Sequence, residues 1–191
     1  MIAEAPALAP GDQPAPTGPY LLSAGDLRPK KNLPILIEAY RELRRDGLEH
    51  RLILTGSDQG IGPALREMAR GEPVELTGFV PDARLDALIR GADAVVVPSL
   101  YEGFGLIVLE AMARGRPVVL ARAGALPEVG GDAAAYFDGG DPVALAAAIR
   151  RIADDPAEHR RLGEAGRARA AEFTWEKAAA ATVAVYEEVL A

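Results

Sequence analysis

From Tyr20 onward, short apolar runs that do not alternate with polar residues are separated by longer amphipathic stretches. Few folds accept that pattern. The run Ala94-Val95-Val96-Val97 shows why: a strand apolar on both sides has to be covered on both faces. Candidate strands fall at Tyr20–Ala24, Arg51–Thr55, Val74–Thr77, Ala94–Val97, Pro117–Ala121 and Ala134–Phe137. Helical patterns lie between them at about 33–46, 63–70, 82–91, 105–115 and, weakly, 124–130. Leu33, Leu36, Ile37, Tyr40 and Leu43 share one face of the first. Strand–helix alternation of this kind predicts right-handed βαβ units, hence an α/β Rossmann-like fold with a doubly wound, six-stranded parallel sheet. Ligands in such sheets sit beyond the carboxyl ends of the strands, so the loops there are the candidate site.

After Asp141 the pattern is helical, at about 142–154, 157–172 and 175–190. Trp175, Ala179, Thr182, Val183, Tyr186, Val189 and Leu190 form one apolar stripe, which reads as a C-terminal helix packed on the sheet's flank. Residues 1–19 hold five of the 15 prolines and no periodic apolar face. They read as an extended or disordered linker ahead of a domain at 20–191.

Composition removes several functions. The 21 Lys and Arg against 28 Asp and Glu leave a net charge of −7, which argues against a nucleic-acid duplex or an anionic membrane as main partner. No apolar run approaches the roughly 18 residues of a membrane span, and no secretory signal opens the chain, so a cytoplasmic protein is expected. A membrane-peripheral position is compatible with the same composition. The absence of cysteine excludes disulfides, thiolate catalysis and thiolate-bound metal. His50 and His159 lie far apart among charged neighbours and read as solvated surface residues.

Three loops are candidates for chemistry. The first, Gly25-Asp26-Leu27-Arg28-Pro29-Lys30-Lys31-Asn32, puts three cations beside a helix start that Asn32 can cap, which suits a phosphate; a solvated basic turn is the competing reading. The second, from Gly56 to Pro63, fits neither a dinucleotide fingerprint nor a P-loop and reads as a plain strand-to-helix turn. The third runs Pro98-Ser-Leu-Tyr-Glu102-Gly103-Phe104-Gly105-Leu106 into a helix that contains Glu110. Its glycines bare backbone N–H groups at the helix start. Glu110, set in an apolar segment, needs a donor or an open cleft. Eight residues along a helix span about 12 Å and return within about 80° of the starting face, so Glu102 and Glu110 are spaced to grip two ends of one polyhydroxyl ligand. A cap at Glu102 and a salt bridge at Glu110 is the competing structural reading.

The segment Glu102-Gly-Phe-Gly-Leu-Ile-Val-Leu-Glu110-Ala-Met-Ala-Arg-Gly-Arg-Pro-Val-Val resembles the E-x7-E signature of retaining glycosyltransferases of family 4, the glycosyl transferases group 1, which have the GT-B fold. The resemblance extends through Gly78-Phe79-Val80-Pro81, Asp93 to Ser99, Gly124-Ala-Leu-Pro-Glu128-Val and Phe173-Thr-Trp175-Glu-Lys, covering nearly all of 20–191. It implies the C-terminal, donor-binding half of such an enzyme. On that basis Lys31 neutralises the donor pyrophosphate, Glu110 binds ribose hydroxyls and Glu102 holds the sugar. The Phe104-Gly105-Leu106 backbone meets phosphate or sugar, and the backbone at Val80 meets the base. The implied site comprises Gly25, Arg28, Lys31, Gly56, Val80, Glu102, Gly103, Phe104, Gly105, Leu106 and Glu110, with Lys31 and Glu102 as the catalytic pair.

The implied donor is a UDP- or GDP-hexose. No Asp-x-Asp motif occurs, so no cofactor and no essential divalent metal are expected. The pattern departs from the family at Asp26, where many members carry arginine; Arg28 or Lys30 is placed to supply that charge. It departs also in length, because the N-terminal acceptor domain has no counterpart in these residues. Little or no transfer is therefore expected from the chain alone, and a partner supplying an acceptor domain is implied. A non-catalytic nucleotide-sugar-binding module that regulates or scaffolds a partner is the alternative, and an epimerase-like or phosphorylase-like relative of the fold a weaker third.

Overall fold

The computed structural model describes residues 16–190, so the expected linker lies outside the described residues up to position 15. One sheet carries six strands: β1 (Tyr20–Ala24), β2 (Arg51–Thr55), β3 (Val74–Gly78), β4 (Ala94–Val97), β5 (Val118–Ala121) and β6 (Ala135–Phe137). All neighbours run parallel, in the order β3-β2-β1-β4-β5-β6. The helices are α1 (Leu33–Arg45), α2 (Gly62–Met68), α3 (Asp82–Gly91), α4 (Leu106–Ala113), α5 (Leu126–Gly130), α6 (Pro142–Ala153), α7 (Pro156–Ala170) and α8 (Trp175–Leu190). This is the Rossmann-like, doubly wound sheet expected from the apolar runs.

The central strands are apolar on both faces because both faces are covered: Leu21, Leu22, Leu52, Ile53, Val95, Val96, Val118 and Val119 are buried. Each such side chain stabilises the fold by about 1.5–3 kcal/mol. Element ends follow local chemistry. Pro117 has no N–H to give the ladder, so β5 starts one residue later, although the Pro117 carbonyl still accepts from Val95 N at 2.9 Å. Asp155 caps α7 by accepting from Ala157 N and Glu158 N at 2.8 and 3.2 Å.

Two expectations are corrected. Asn32 does not cap α1 with its side chain; its backbone is left-handed (φ 51°), and its Nδ2 donates to the Gly139 carbonyl at 3.0 Å. The stripe on α8 does not pack on the sheet's flank. Every residue of α8 is exposed, including Trp175, Val183, Tyr186 and Val189. The helical period of that stripe was legible, but periodicity defines an apolar face without saying what covers it.

The strand order places the site. From β1 the chain proceeds to β2 and β3 on one side; β4 then pairs with β1 on the other side and leads to β5 and β6. The loops after β1 and β4 therefore meet at the carboxyl ends of these two strands, at the point where the strand order reverses and where such sheets bind ligands.

Candidate functional site

The switch point, taken as the candidate crevice, is bordered by residues 25–32 after β1 and 98–105 after β4, stitched together where Leu100 N donates to the Lys30 carbonyl at 2.9 Å. Across this seam Lys31 Nζ donates to Glu102 Oε1 at 2.6 Å, and Ser99 Oγ donates to the same oxygen at 2.8 Å. The ion pair is largely sheltered, with side chains 18% and 9% exposed, so solvent screens it weakly. Burial by itself raises the Glu102 pKa. The hydrogen bonds from Lys31 and Ser99, together with the charges of Lys31 and Lys30, outweigh it, and the carboxyl ends below its ordinary value.

Glu110 sits on α4 in the opposite condition. It is half-buried, and none of the hydrogen bonds among the described residues reaches its carboxylate. Arg114, the cation whose charge acts on it, donates instead to Asp86 Oδ1 and to the Glu110 carbonyl. Burial pushes the Glu110 pKa up; Arg114 opposes this in part, while Asp82 and Asp86 add to it. A carboxylate held this way is an acceptor waiting for donors.

The competing structural reading of these two glutamates is thereby reversed, since Glu102 carries the salt bridge and Glu110 does not. Nor do the two share one helical ladder. The chain turns at Gly105, whose φ of 96° makes it the left-handed N-cap of α4, and Glu102 lies outside the helix. The helical spacing argument therefore fails, although both residues stay on the segment that follows β4.

The remaining candidates divide between crevice and scaffold. Gly25 leaves space for the Lys31 head group: a Cβ there would lie 3.1 Å from Nζ. Gly56 packs backbone on backbone, since its Cβ would fall 2.1 Å from the Gly25 carbonyl oxygen. Gly103 is exposed and open on every side. Phe104 is part-exposed and packs edge-on against Phe173, with ring centroids 6.0 Å apart, while Leu106 stays exposed. Val80 follows β3, two strands out from β1, half-buried against the core. Arg28 spends its charge locally, donating to Asp26 at 2.8 Å. Lys30, whose charge acts on Glu102, is the cation of the loop with no ion-pair partner among the described residues.

Sequence reasoning missed three features. Ser99 lies within the third loop and at the end of the Asp93 to Ser99 run, but its residue type and spacing assign it no role of its own. Gly124 backs onto Glu102, whose carbonyl accepts from Ala125 N at 3.0 Å; a Cβ at Gly124 would lie 2.5 Å from that oxygen. The two histidines are not independent surface residues. His50 Nε2 lies 3.2 Å from Asp93 Oδ2 and His159 Nε2 lies 3.0 Å from the Asp93 carbonyl, at the amino end of β4 and so away from the crevice. Nothing in the spacing of positions 50, 93 and 159 signals that meeting. Elsewhere, Arg122, Pro127, Asp132 and Tyr136 line a shallow open depression near the β6 edge, and it contains none of the candidate residues. No helix among the described residues is long and apolar enough to cross a membrane.

Sheet order, crevice and paired loops define a Rossmann-like α/β domain of the kind that builds GT-B glycosyltransferases. The family follows from comparison with known proteins. Residues 18–155 match the family model described as "Glycosyl transferases group 1", and the chain belongs to that family. It is similar to the MMP alpha-(1->4)-mannosyltransferase of Mycolicibacterium hassiacum, at 42% identity over 170 residues, covering 85% of this chain and 41% of that protein. It is also similar to a GDP-mannose-dependent alpha-(1-6)-phosphatidylinositol dimannoside mannosyltransferase of Mycobacterium tuberculosis, at 37% identity over 171 residues, covering 88% of this chain and 44% of that protein. Among solved structures, sucrose-phosphate synthase from Thermosynechococcus elongatus superposes with a TM-score of 0.76 at 31% identity, covering 91% of this chain and 46% of that one. The chain thus spans less than half the length of these relatives.

Proposed function

We propose that residues 20–191 form the donor-binding half of a retaining glycosyltransferase, and that a nucleoside-diphosphate hexose occupies the crevice between the loops after β1 and β4. The observation that carries this reading is the meeting of Lys31 and Glu102 at the switch point of the sheet, with the unpartnered Glu110 carboxylate following on α4. An anionic diphosphate is met by Lys31, by Lys30 and by the N–H groups at the start of α4, where Gly105 and its neighbours bare the backbone. Glu110 accepts from ribose hydroxyls and Glu102 from hexose hydroxyls. In the reaction, the bond from the anomeric carbon to the diphosphate oxygen breaks as an acceptor hydroxyl oxygen bonds to that carbon and passes its proton to the departing diphosphate oxygen, with the anomeric configuration kept. Lys31 stabilises the charge that develops on the departing diphosphate, so the reading asks for no metal. The mannosyltransferase relatives favour GDP-mannose as the first donor to try, with UDP-hexoses next.

The acceptor site belongs to a second domain or subunit, and the exposed apolar residues of α8 and of the loop after β4 give it a surface to meet. Transfer by this chain alone is therefore absent or slight.

Thermal denaturation with GDP, UDP, ADP and their hexose conjugates tests the reading. A ligand at 100 times its dissociation constant adds about 2.7 kcal/mol, which is roughly 5–11 °C for a domain of this size. One nucleotide family should raise the melting temperature, and Glu110→Ala should reduce that rise. A chain that none of them stabilises would refute donor binding. Activity recovered on mixing with an acceptor domain separates an enzyme half from a binding module, which binds without ever transferring.

A further inference from the structure

Ser99 is fully buried two residues beyond the end of β4, where a hydroxyl is costly unless bonded. It meets that cost by donating to Glu102 Oε1 at 2.8 Å, the oxygen that Lys31 reaches at 2.6 Å. Both donors that the described residues bring to this carboxylate converge on one oxygen. The Glu102 main chain is also held, because its carbonyl accepts from Ala125 N and is backed by Gly124 without room for a Cβ. A carboxylate fixed through its main chain and one oxygen has its side-chain torsions set, and presents its other oxygen in a set direction.

We propose that Ser99 is a positioning residue: with Lys31 it fixes Glu102 through Oε1, so that Oε2 is the oxygen presented to a hydroxyl of the donor's hexose. This rests on the reading of the crevice as a donor site and deepens it, since it divides the site's residues by the part of the donor they serve. Ser99 acts on the hexose through Glu102 and leaves recognition of the nucleotide untouched. A residue needed only for packing would make no such distinction.

The test uses the full chain in two arms. Without ligand, Glu102 is titrated by carboxyl-carbon NMR in wild type, Ser99→Ala and Ser99→Thr, with Glu102→Gln assigning the signal. Loss of the donated hydrogen bond should raise the Glu102 midpoint in Ser99→Ala, and Ser99→Thr, which keeps the hydroxyl, should restore it. A midpoint that stays put in Ser99→Ala overturns the proposal. In the second arm calorimetry compares GDP with GDP-mannose and UDP with UDP-glucose. Ser99→Ala should weaken the nucleotide-sugar roughly tenfold and leave the free nucleotide within about twofold. Equal weakening of both, or of neither, overturns it. Wild type that binds neither nucleotide nor nucleotide-sugar refutes the donor reading, and the proposal with it, before any variant is compared. Ser99→Cys, a somewhat larger side chain and a weaker donor, replaces the alanine variant if that chain does not fold, with the same outcomes expected.

Discussion

Glu102 and Glu110 are eight positions apart on the same segment, and replacing each with glutamine should move stability in opposite directions. Glu102→Gln removes a charge-assisted hydrogen bond to Lys31 from a sheltered pair and leaves the lysine charge without its counterion. Breaking a fully buried pair costs about 3–5 kcal/mol. Lys31 retains some access to water, so a loss of about 1–3 kcal/mol is expected, or roughly 2–12 °C in melting temperature. Glu110→Gln removes a carboxylate whose charged form is penalised by burial and answered by no donor. A gain of about 0.5–2 kcal/mol is expected, or roughly 1–8 °C.

The pH dependence of the two differs in origin. Glu102 has a folded pKa below its unfolded one, so its contribution is complete above the unfolded value near ~4.3 and is lost as pH falls through the depressed folded value. Glu110 has a folded pKa above its unfolded one, so its penalty is absent below ~4.3 and complete once pH has risen past the raised value. Scanning calorimetry of both variants beside wild type at pH 7.5, and at steps down to about pH 2.5, reads both effects, with the Glu110 gap closing as pH falls towards ~4.3 and the Glu102 gap closing below it. Two opposite shifts at pH 7.5, each shrinking towards acid, are the expected result. Shifts of the same sign, or gaps that stay constant across the range, would refute the assignment of a satisfied and an unsatisfied carboxylate.

Gly56→Ala should destabilise by about 2–4 kcal/mol and lower the melting temperature accordingly, because its Cβ would lie 2.1 Å from the Gly25 carbonyl at a φ of 140°. His50→Ala should cost up to about 1 kcal/mol near neutral pH, since the His50 hydrogen bond leads the causes that hold the Asp93 pKa down. That difference is complete above the ordinary aspartate pKa of ~3.9 and lost as pH falls through the depressed folded value, which urea titrations at stepped pH will show. Tyr186→Ser combined with Val189→Ser should leave the melting temperature within about 2 °C of wild type, because α8 buries nothing; a fall of several degrees in a monomeric sample would mean that α8 packs on the sheet after all.

The sheet was legible in the sequence because each central strand is covered on both faces, and Val95, Val96, Val118 and Val119 must all be apolar wherever they fall. Candidate residues were legible by chemical type and loop position, and the contact between Lys31 and Glu102 was not. They are 71 positions apart, and only the switch in strand order brings their loops face to face. Ser99 shows the same limit more sharply. A serine after a strand is ordinary turn chemistry until the fold buries it and leaves Glu102 as its partner. Asn32 failed as a cap for a complementary reason: a left-handed backbone turned its amide to Gly139, a partner 107 residues away.

The net charge of −7 looks unfavourable for an anionic ligand, and the site resolves this locally. Screening limits the reach of distant charges to about 8 Å at physiological salt, so a diphosphate at the proposed site would meet chiefly the loop after β1 and the start of α4. There the carboxylates of Glu102 and Asp26 are already matched by Lys31 and Arg28, and Lys30 adds a cation with no carboxylate of its own among the described residues. Glu102 also holds Lys31 at the seam, which spares a ligand part of the entropic cost of ordering a flexible side chain. Folding accounts for the whole of that arrangement, since every partner of Glu102 Oε1 is internal. It does not account for Glu110. A half-buried carboxylate without a donor lowers the stability of the chain that carries it, and a glutamine or leucine at that position would fold at least as well. Under the proposed reading the ribose hydroxyls of a bound donor offset that cost, a deficit that the better-bonded Glu102 does not carry.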